Sequence, residues 1–268
     1  MDFITTTPSP ARRTVGLALA ATAAVLGLTA CQGAAGGPDA TSTGTGTGTG
    51  TGTDDTKPRR LLWMGDSIGE AEAPALAAAI TAGGAEFASM AAAGGGGVIG
   101  EIAAPTWEEL PKKLASFKPD VVAYQITTYD WGTAAEQRAG YERLSRTVNE
   151  AGADLLIVSA PPFKIDDFYE EHEAAIRTAP ASAREVADEH PDTVRFLDAA
   201  ALWGTDASAA KAQRSKDGIH SCQQGSAAFA TWFGKELDKR YSFEPAAPDQ
   251  WANGPWTGDQ VYGRLGCA

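Results

Sequence analysis

From Arg60 onward, short continuous apolar runs alternate with longer stretches of helix-forming sequence. Leu61–Met64 reads as a buried strand that stops at Gly65, and the alanine-rich Glu70–Ala82 as a helix with Pro74 in its early part. Ala85–Ala88 is a second, short strand, followed by the four glycines Gly94–Gly97. Trp107–Ser116 is predicted helical, Asp120–Ile126 a buried strand, and Ala134–Glu150 a helix closed by Ala151-Gly152. Asp154–Ser159 is a further apolar strand, broken by Pro161-Pro162. Asp167–Glu189 is predicted as a helix interrupted near Pro180, Val194–Leu197 as the last strand and Ser226–Lys239 as the last helix. Strands that are apolar throughout are covered on both faces, so the predicted class is α/β. It is a single doubly wound parallel sheet between helix layers, an α/β/α sandwich.

The rest of the chain reads differently. Of 268 residues, 43% are hydrophobic, enough for one ordinary domain with appendages. Arg12-Arg13 precede an apolar stretch from Val15 to Leu28, short for a bilayer span but suited to a secretory signal. Leu28-Thr29-Ala30-Cys31 resembles the lipobox of bacterial lipoproteins, which implies cleavage before Cys31 and its lipidation. The chain would then be exported and lipid-anchored to the outer face of the bacterial cytoplasmic membrane. The paired arginines also suit twin-arginine export, and the route stays open. Residues 31–58, with an alternating Thr-Gly run from Thr43 to Thr53, cannot bury apolar surface and are predicted to form a disordered tether. The expected partition is a signal over 1–30, the tether over 31–58, a catalytic domain over 59–243 and a tail over 244–268.

A formal net charge of −12, with no basic patch, excludes a nucleic-acid binder and leaves the lipid as the only membrane contact. With Cys31 taken by lipid, Cys222 and Cys267 remain in an oxidising setting, and a disulfide between them is predicted. A loop of about 45 residues contributes roughly 4 kcal/mol in the chain-entropy model. It would pin the tail two residues beyond His220.

In open α/β sheets the site forms beyond the C-terminal strand ends. Those ends carry Gly65-Asp66-Ser67, the glycine loop, Thr127-Thr128-Tyr129-Asp130, Ser159–Phe163, and the segment leading to Asp217 and His220. Ser67 lies on a strand-to-helix turn, and His220 with Asp217 supplies the base and its orienting carboxylate, which completes a Ser–His–Asp triad. Asp66 is expected to order the turn and to act as neither acid nor base. His172 and His190 fall at a helix face and a helix end without metal-ligand spacing, so no metal or other cofactor is expected.

Gly65-Asp66-Ser67 near the front and Asp217-Gly218-Ile219-His220 near the back resemble the SGNH (GDSL-type) hydrolase family over roughly residues 60–240. The resemblance implies an SGNH-hydrolase or flavodoxin-like fold and acyl transfer through Ser67, His220 and Asp217. It also implies oxyanion donors from the Ser67 N–H, from Gly95 within the glycine loop, and from an asparagine after the next strand. The chain departs from the family there: Tyr129 occupies the asparagine's position, with Thr127 and Thr128 as alternative donors. Asn149 and Asn253, the two asparagines present, follow no core strand. The altered block also resembles SGNH domains attached to envelope O-acyltransferases. That implies an O-acyl, for instance O-acetyl, ester on a cell-envelope or extracellular carbohydrate, with an envelope acyltransferase as a partner. Trp63 is expected in the core, whereas Trp131, Trp251 and Trp256 suit either packing or sugar stacking. The alternatives are an O-acyltransferase with the same triad and a catalytically weak glycan-binding lipoprotein.

Overall fold

The computed structural model describes residues 58–267. The expected signal, the expected lipidation site Cys31 and all of the expected tether except Pro58 lie outside them. Five strands, β1 (Arg60–Met64), β2 (Glu86–Ser89), β3 (Val121–Gln125), β4 (Asp154–Val158) and β5 (Val194–Leu197), pair in parallel in the order β2-β1-β3-β4-β5. Between and after them run α1 (Ser67–Ala82), α2 (Ala104–Phe117), α3 (Ala134–Glu150), α4 (Glu173–Glu189), α5 (Ala200–Trp203), α6 (Gln223–Tyr241) and α7 (Gln260–Arg264).

Alternation along the strands divides the interior into two cores. Leu61, Trp63, Val121, Ala123, Leu156 and Val158 face α1 and α6, where Phe229 and Phe233 pack on the Trp63 ring with centroids 5.6 and 5.8 Å away. Leu62, Met64, Val122, Tyr124, Leu155 and Ile157 face α2, α3 and α4. Helices therefore cover both faces, as the continuous apolar strands require. The result is a single parallel-sheet α/β domain.

The helices depart from their expected limits in instructive ways. α1 starts at Ser67 and not at Glu70, because Asp66 caps it by accepting a hydrogen bond from the Ile68 N–H at 2.9 Å. α2 starts three residues early, on Pro105 in its first turn. α4 runs unbroken through Pro180. Proline already has a helical φ, so its cost there is the lost N–H bond to Ile176, a residue partly open to solvent. The preceding residues 167–172 form turns and a short 3-10 segment where a helix was expected.

The tail is packed and ordered. Trp251 is buried against the α1–α6 core, and Trp256 donates its indole N–H to Trp251 O at 2.7 Å. Tyr262 donates its hydroxyl to Ala71 O on α1 at 3.0 Å, and Arg264 pairs with Glu70. The predicted disulfide joins Cys222, at the start of α6, to Cys267. Packing thus accounts for both tail tryptophans.

Candidate active site

The β1–α1 turn that carries Ser67, the nucleophile expected from sequence, is built by Asp66. Its Oδ1 caps α1, while Oδ2 accepts the Thr128 N–H at 2.6 Å and the Thr128 hydroxyl at 2.8 Å. The carboxyl is fully buried, and desolvation raises its pKa against the lowering by these hydrogen bonds. Asp66 therefore fastens the β1–α1 turn to the loop after β3. A proton carrier needs an open edge, and this carboxyl is buried at 1% exposure. Ser67 follows at the first helical position, where the backbone N–H has no helical partner.

The histidine arrives on a tight turn held by Asp217. Asp217 Oδ1 accepts from the Ile219 N–H (2.7 Å), the His220 N–H (3.0 Å) and the Ser215 hydroxyl (2.7 Å). Its Oδ2 lies 2.7 Å from His220 Nδ1. Desolvation would raise its pKa, but hydrogen bonds from His220, Ile219 and Ser215 prevail and hold it down at about 2. An ionised Asp217 accepts, so Nδ1 carries the proton and Nε2 is the acceptor. His220 Nε2 stands 2.8 Å from Ser67 Oγ. The three triad residues chosen from sequence are brought together, across a separation of 153 residues between Ser67 and His220.

Not every group expected as an oxyanion donor is left free to donate. The Ser67 N–H is presented at the helix start. Gly95 is not the glycine beside it, because its N–H donates to Ala92 O at 3.3 Å and its α-carbon faces open space. Gly96 meets the nucleophile turn: a Cβ there would sit 1.9 Å from Gly65 O, and φ is +81°. Gly97 lies against Thr127 and Asp130. The Tyr129 hydroxyl shares a hydrogen bond with Tyr169, and burial raises its pKa. Thr127 donates its hydroxyl to Asp130 and Thr128 to Asp66, so neither is free to serve an oxyanion. Asn149 bonds Ser145 and Thr193, away from the site.

Two features were not foreseen. Asp130 is a buried hub, accepting the hydroxyls of Tyr124, Tyr141 and Thr127 and the Val98 N–H, which ties the glycine loop to the loop after β3. Burial pushes its pKa up to about 6 against these hydrogen bonds. Its place in the polar loop after β3, beyond the apolar run that ends at Ile126, is the signal that could have found it. The second feature is a ledge of rings. Tyr129, Trp131 and Phe168 lie 5.5 to 6.3 Å apart, Phe168 and Phe163 pack edge-on to Tyr169, and His172 stacks on Trp131 at 3.5 Å. Tyr169 Oη is 3.3 Å from Thr128 Oγ1, the group that binds Asp66, so the ledge starts at the nucleophile turn. Phe168, at 57% exposure, is the one exposed large hydrophobic residue among those described.

Two grooves open nearby. One, of about 770 Å³, lies between Gly94–Gly96 and α2, with Met90, Ile102 and Pro105 in its wall. The other, of about 610 Å³, is lined by Ile126, Thr127, Pro161–Ile165 and Gly218, next to Asp217. His190, expected to lack metal-ligand neighbours, does lie with Glu142 and Glu189 in ligand-like proximity. Arg138 and Arg146 already pair with those carboxylates at the surface.

No family model and no curated protein matches the chain. Solved structures do. An acetyl esterase variant solved with acetate ion superposes with a TM-score of 0.54 at 16% identity, over 68% of this chain and 98% of the other. A Streptococcus pneumonia protein provisionally described as a platelet activating factor gives 0.50 at 18% identity, over 68% and 84%. At such identities the likeness is one of fold: the chain has the parallel-sheet α/β fold seen in an acetyl esterase.

Proposed function

We propose that the chain is a serine esterase of the SGNH type, hydrolysing acyl esters through a covalent acyl-Ser67 intermediate. The observation that carries this is the relay Asp217 Oδ2–His220 Nδ1 at 2.7 Å and His220 Nε2–Ser67 Oγ at 2.8 Å. Strand order β2-β1-β3-β4-β5, with the site at the strand ends, supports the flavodoxin-like doubly wound assignment. In the first step His220 takes the Ser67 proton as Oγ attacks the ester carbonyl, and Asp217 balances the imidazolium. His220 returns the proton to the leaving alcohol, and water then attacks the acyl-enzyme by the reverse sequence. The developing oxyanion is met by the Ser67 N–H and by N–H groups of Gly96 or Gly97, for which no acceptor is present among the described residues.

The substrate in this reading is an O-acyl carbohydrate of the cell envelope, on a lipoprotein tethered through Cys31. Phe168, the exposed ring at the edge of the ledge, supports it, since sugar faces stack on exposed aromatic rings. The acetyl esterase that shares the fold supports a short acyl group. One observation favours a second reading, a glycan-binding lipoprotein with weak turnover. Thr127, Thr128 and Tyr129 are all engaged in other hydrogen bonds, so no side chain replaces the absent asparagine. Losing one such donor costs about 3 to 4 kcal/mol of transition-state stabilisation.

The test is release of p-nitrophenol from acetyl and butyryl esters by residues 59–268, made under oxidising conditions. Turnover abolished by both Ser67→Ala and His220→Ala is the result expected. Absence of turnover together with saturable binding of an envelope glycan would move the assignment to the second reading.

A further inference from the structure

Beneath the triad lies a second set of charged groups that the mechanism above does not use. Glu72 sits on α1, five residues beyond Ser67, and is fully buried. Gln125, at the end of β3, is equally buried and donates its amide N–H to Glu72 Oε2 at 2.7 Å. The other carboxylate oxygen, Oε1, has no hydrogen-bond partner. Desolvation pushes the Glu72 pKa up to about 8, and Arg214 exerts the largest opposing pull.

Arg214 comes from the other half of the site. It precedes the His220 turn and reaches back across it: Nε donates to Ala212 O at 2.8 Å and Nη1 donates to Ile219 O at 2.9 Å. Ile219 is the residue whose carbonyl leads directly into the His220 peptide. Arg214 and Ser221 form an antiparallel bridge, and the Ser215 N–H donates to His220 O at 2.6 Å. The guanidinium rests over the Trp203 ring at 4.7 Å. Its Nη2 is buried without a partner. Arg214 and Glu72 are thus each buried with one polar atom unpaired. Arg214 also feels the charge of Asp217.

We propose that Arg214 is the positioning residue that sets His220 against Ser67, acting through the Ile219 carbonyl. The logic is geometric. Arg214 travels with the turn that carries the base, and its bonds to Ala212 O and Ile219 O hold that turn and fix the height of the imidazole. Displacing a reacting group by about 1 Å can cost on the order of 100-fold in rate. The inference rests on the serine-esterase reading, because it assigns Arg214 a task in that triad.

The test uses Arg214→Met, Glu72→Gln and the double variant, in the whole globular chain with its disulfide. Arg214→Met takes the cation away from the buried Glu72 and frees the Ile219 carbonyl, so it lowers both the melting temperature and kcat, the latter on the order of 10- to 100-fold with KM little changed. Glu72→Gln in that background removes the carboxyl that must be protonated to stay buried and restores the melting temperature. Under the proposal kcat stays low, because the carbonyl of Ile219 is still unheld. The low-field resonance of the His220 Nδ1 proton, read by NMR without substrate, is sharp in the wild type and broadened in both Arg214→Met proteins. Recovery of kcat along with stability in the double variant would show a purely structural pair and overturn the proposal. Wild-type kcat and an unchanged resonance in Arg214→Met would overturn it as well, while leaving the esterase reading intact. A wild type with no Ser67-dependent reaction removes that reading, and the resonance then reports on the positioning alone.

Discussion

Asp66→Ala is the most informative single change to the nucleophile turn. The substitution deletes the cap on the Ile68 N–H, worth about 1 kcal/mol. It also strands the Thr128 N–H and hydroxyl, which now meet Asp66 Oδ2 at 2.6 and 2.8 Å in a site with almost no solvent access. Each buried donor left unpaired costs about 1–3 kcal/mol. Burial of the carboxylate is itself unfavourable, as its raised pKa records, and its removal offsets part of that loss. A net destabilisation of about 3 kcal/mol results, or roughly 6–12 °C in melting temperature for a domain of this size. Urea unfolding and calorimetry measure it directly. Asp66→Asn has one acceptor for three donors, so it falls between the wild type and Asp66→Ala. A loss below about 1 kcal/mol in Asp66→Ala would refute the view that this carboxylate fastens the β1–α1 turn to the loop after β3.

Three further outcomes follow from particular groups. Burial puts the folded pKa of Asp130 at about 6, above its ordinary 3.8, so its contribution to stability is fully present below about pH 4 and lost as pH rises through 6. Two pKa units correspond to at most about 3 kcal/mol, and in Asp130→Asn the stability-versus-pH curve flattens in that window. Cys222→Ser or Cys267→Ser opens a loop spanning 45 residues and lowers stability by up to about 4 kcal/mol, read as a fall in urea midpoint that reducing agent reproduces only in the wild type. Gly96→Ala forces a Cβ onto Gly65 O at a left-handed φ and abolishes turnover or folding, whereas Gly95→Ala points into open space and keeps activity within a few-fold.

The central strands were legible because a fully covered sheet requires runs such as Leu61–Met64 and Leu155–Val158 to be apolar at every position. Ser67, Asp217 and His220 were legible because each sits at a strand end or in a turn where few residue types serve. Gly95 was chosen over Gly96 for want of any difference between them in sequence. Only the path of the loop, with Gly96 at φ +81° over Gly65 O, separates the two. Long-range polar pairing was the least visible layer. Glu72 and Gln125 are 53 residues apart, and Asp66 and Thr128 are 62 apart, so nothing local marks them as partners. The ring ledge was hidden for another reason. Phe168 and Tyr169 read as part of a helix, and the chain turns there instead.

The central claim is that Ser67 is an activated nucleophile, and mapping a fluorophosphonate adduct by mass spectrometry tests it most directly. The account predicts one adduct per chain, carried by Ser67, absent in Ser67→Ala and formed at least 100-fold more slowly in His220→Ala. No adduct on the intact, disulfide-bonded protein, or one formed at the same rate without His220, would contradict it.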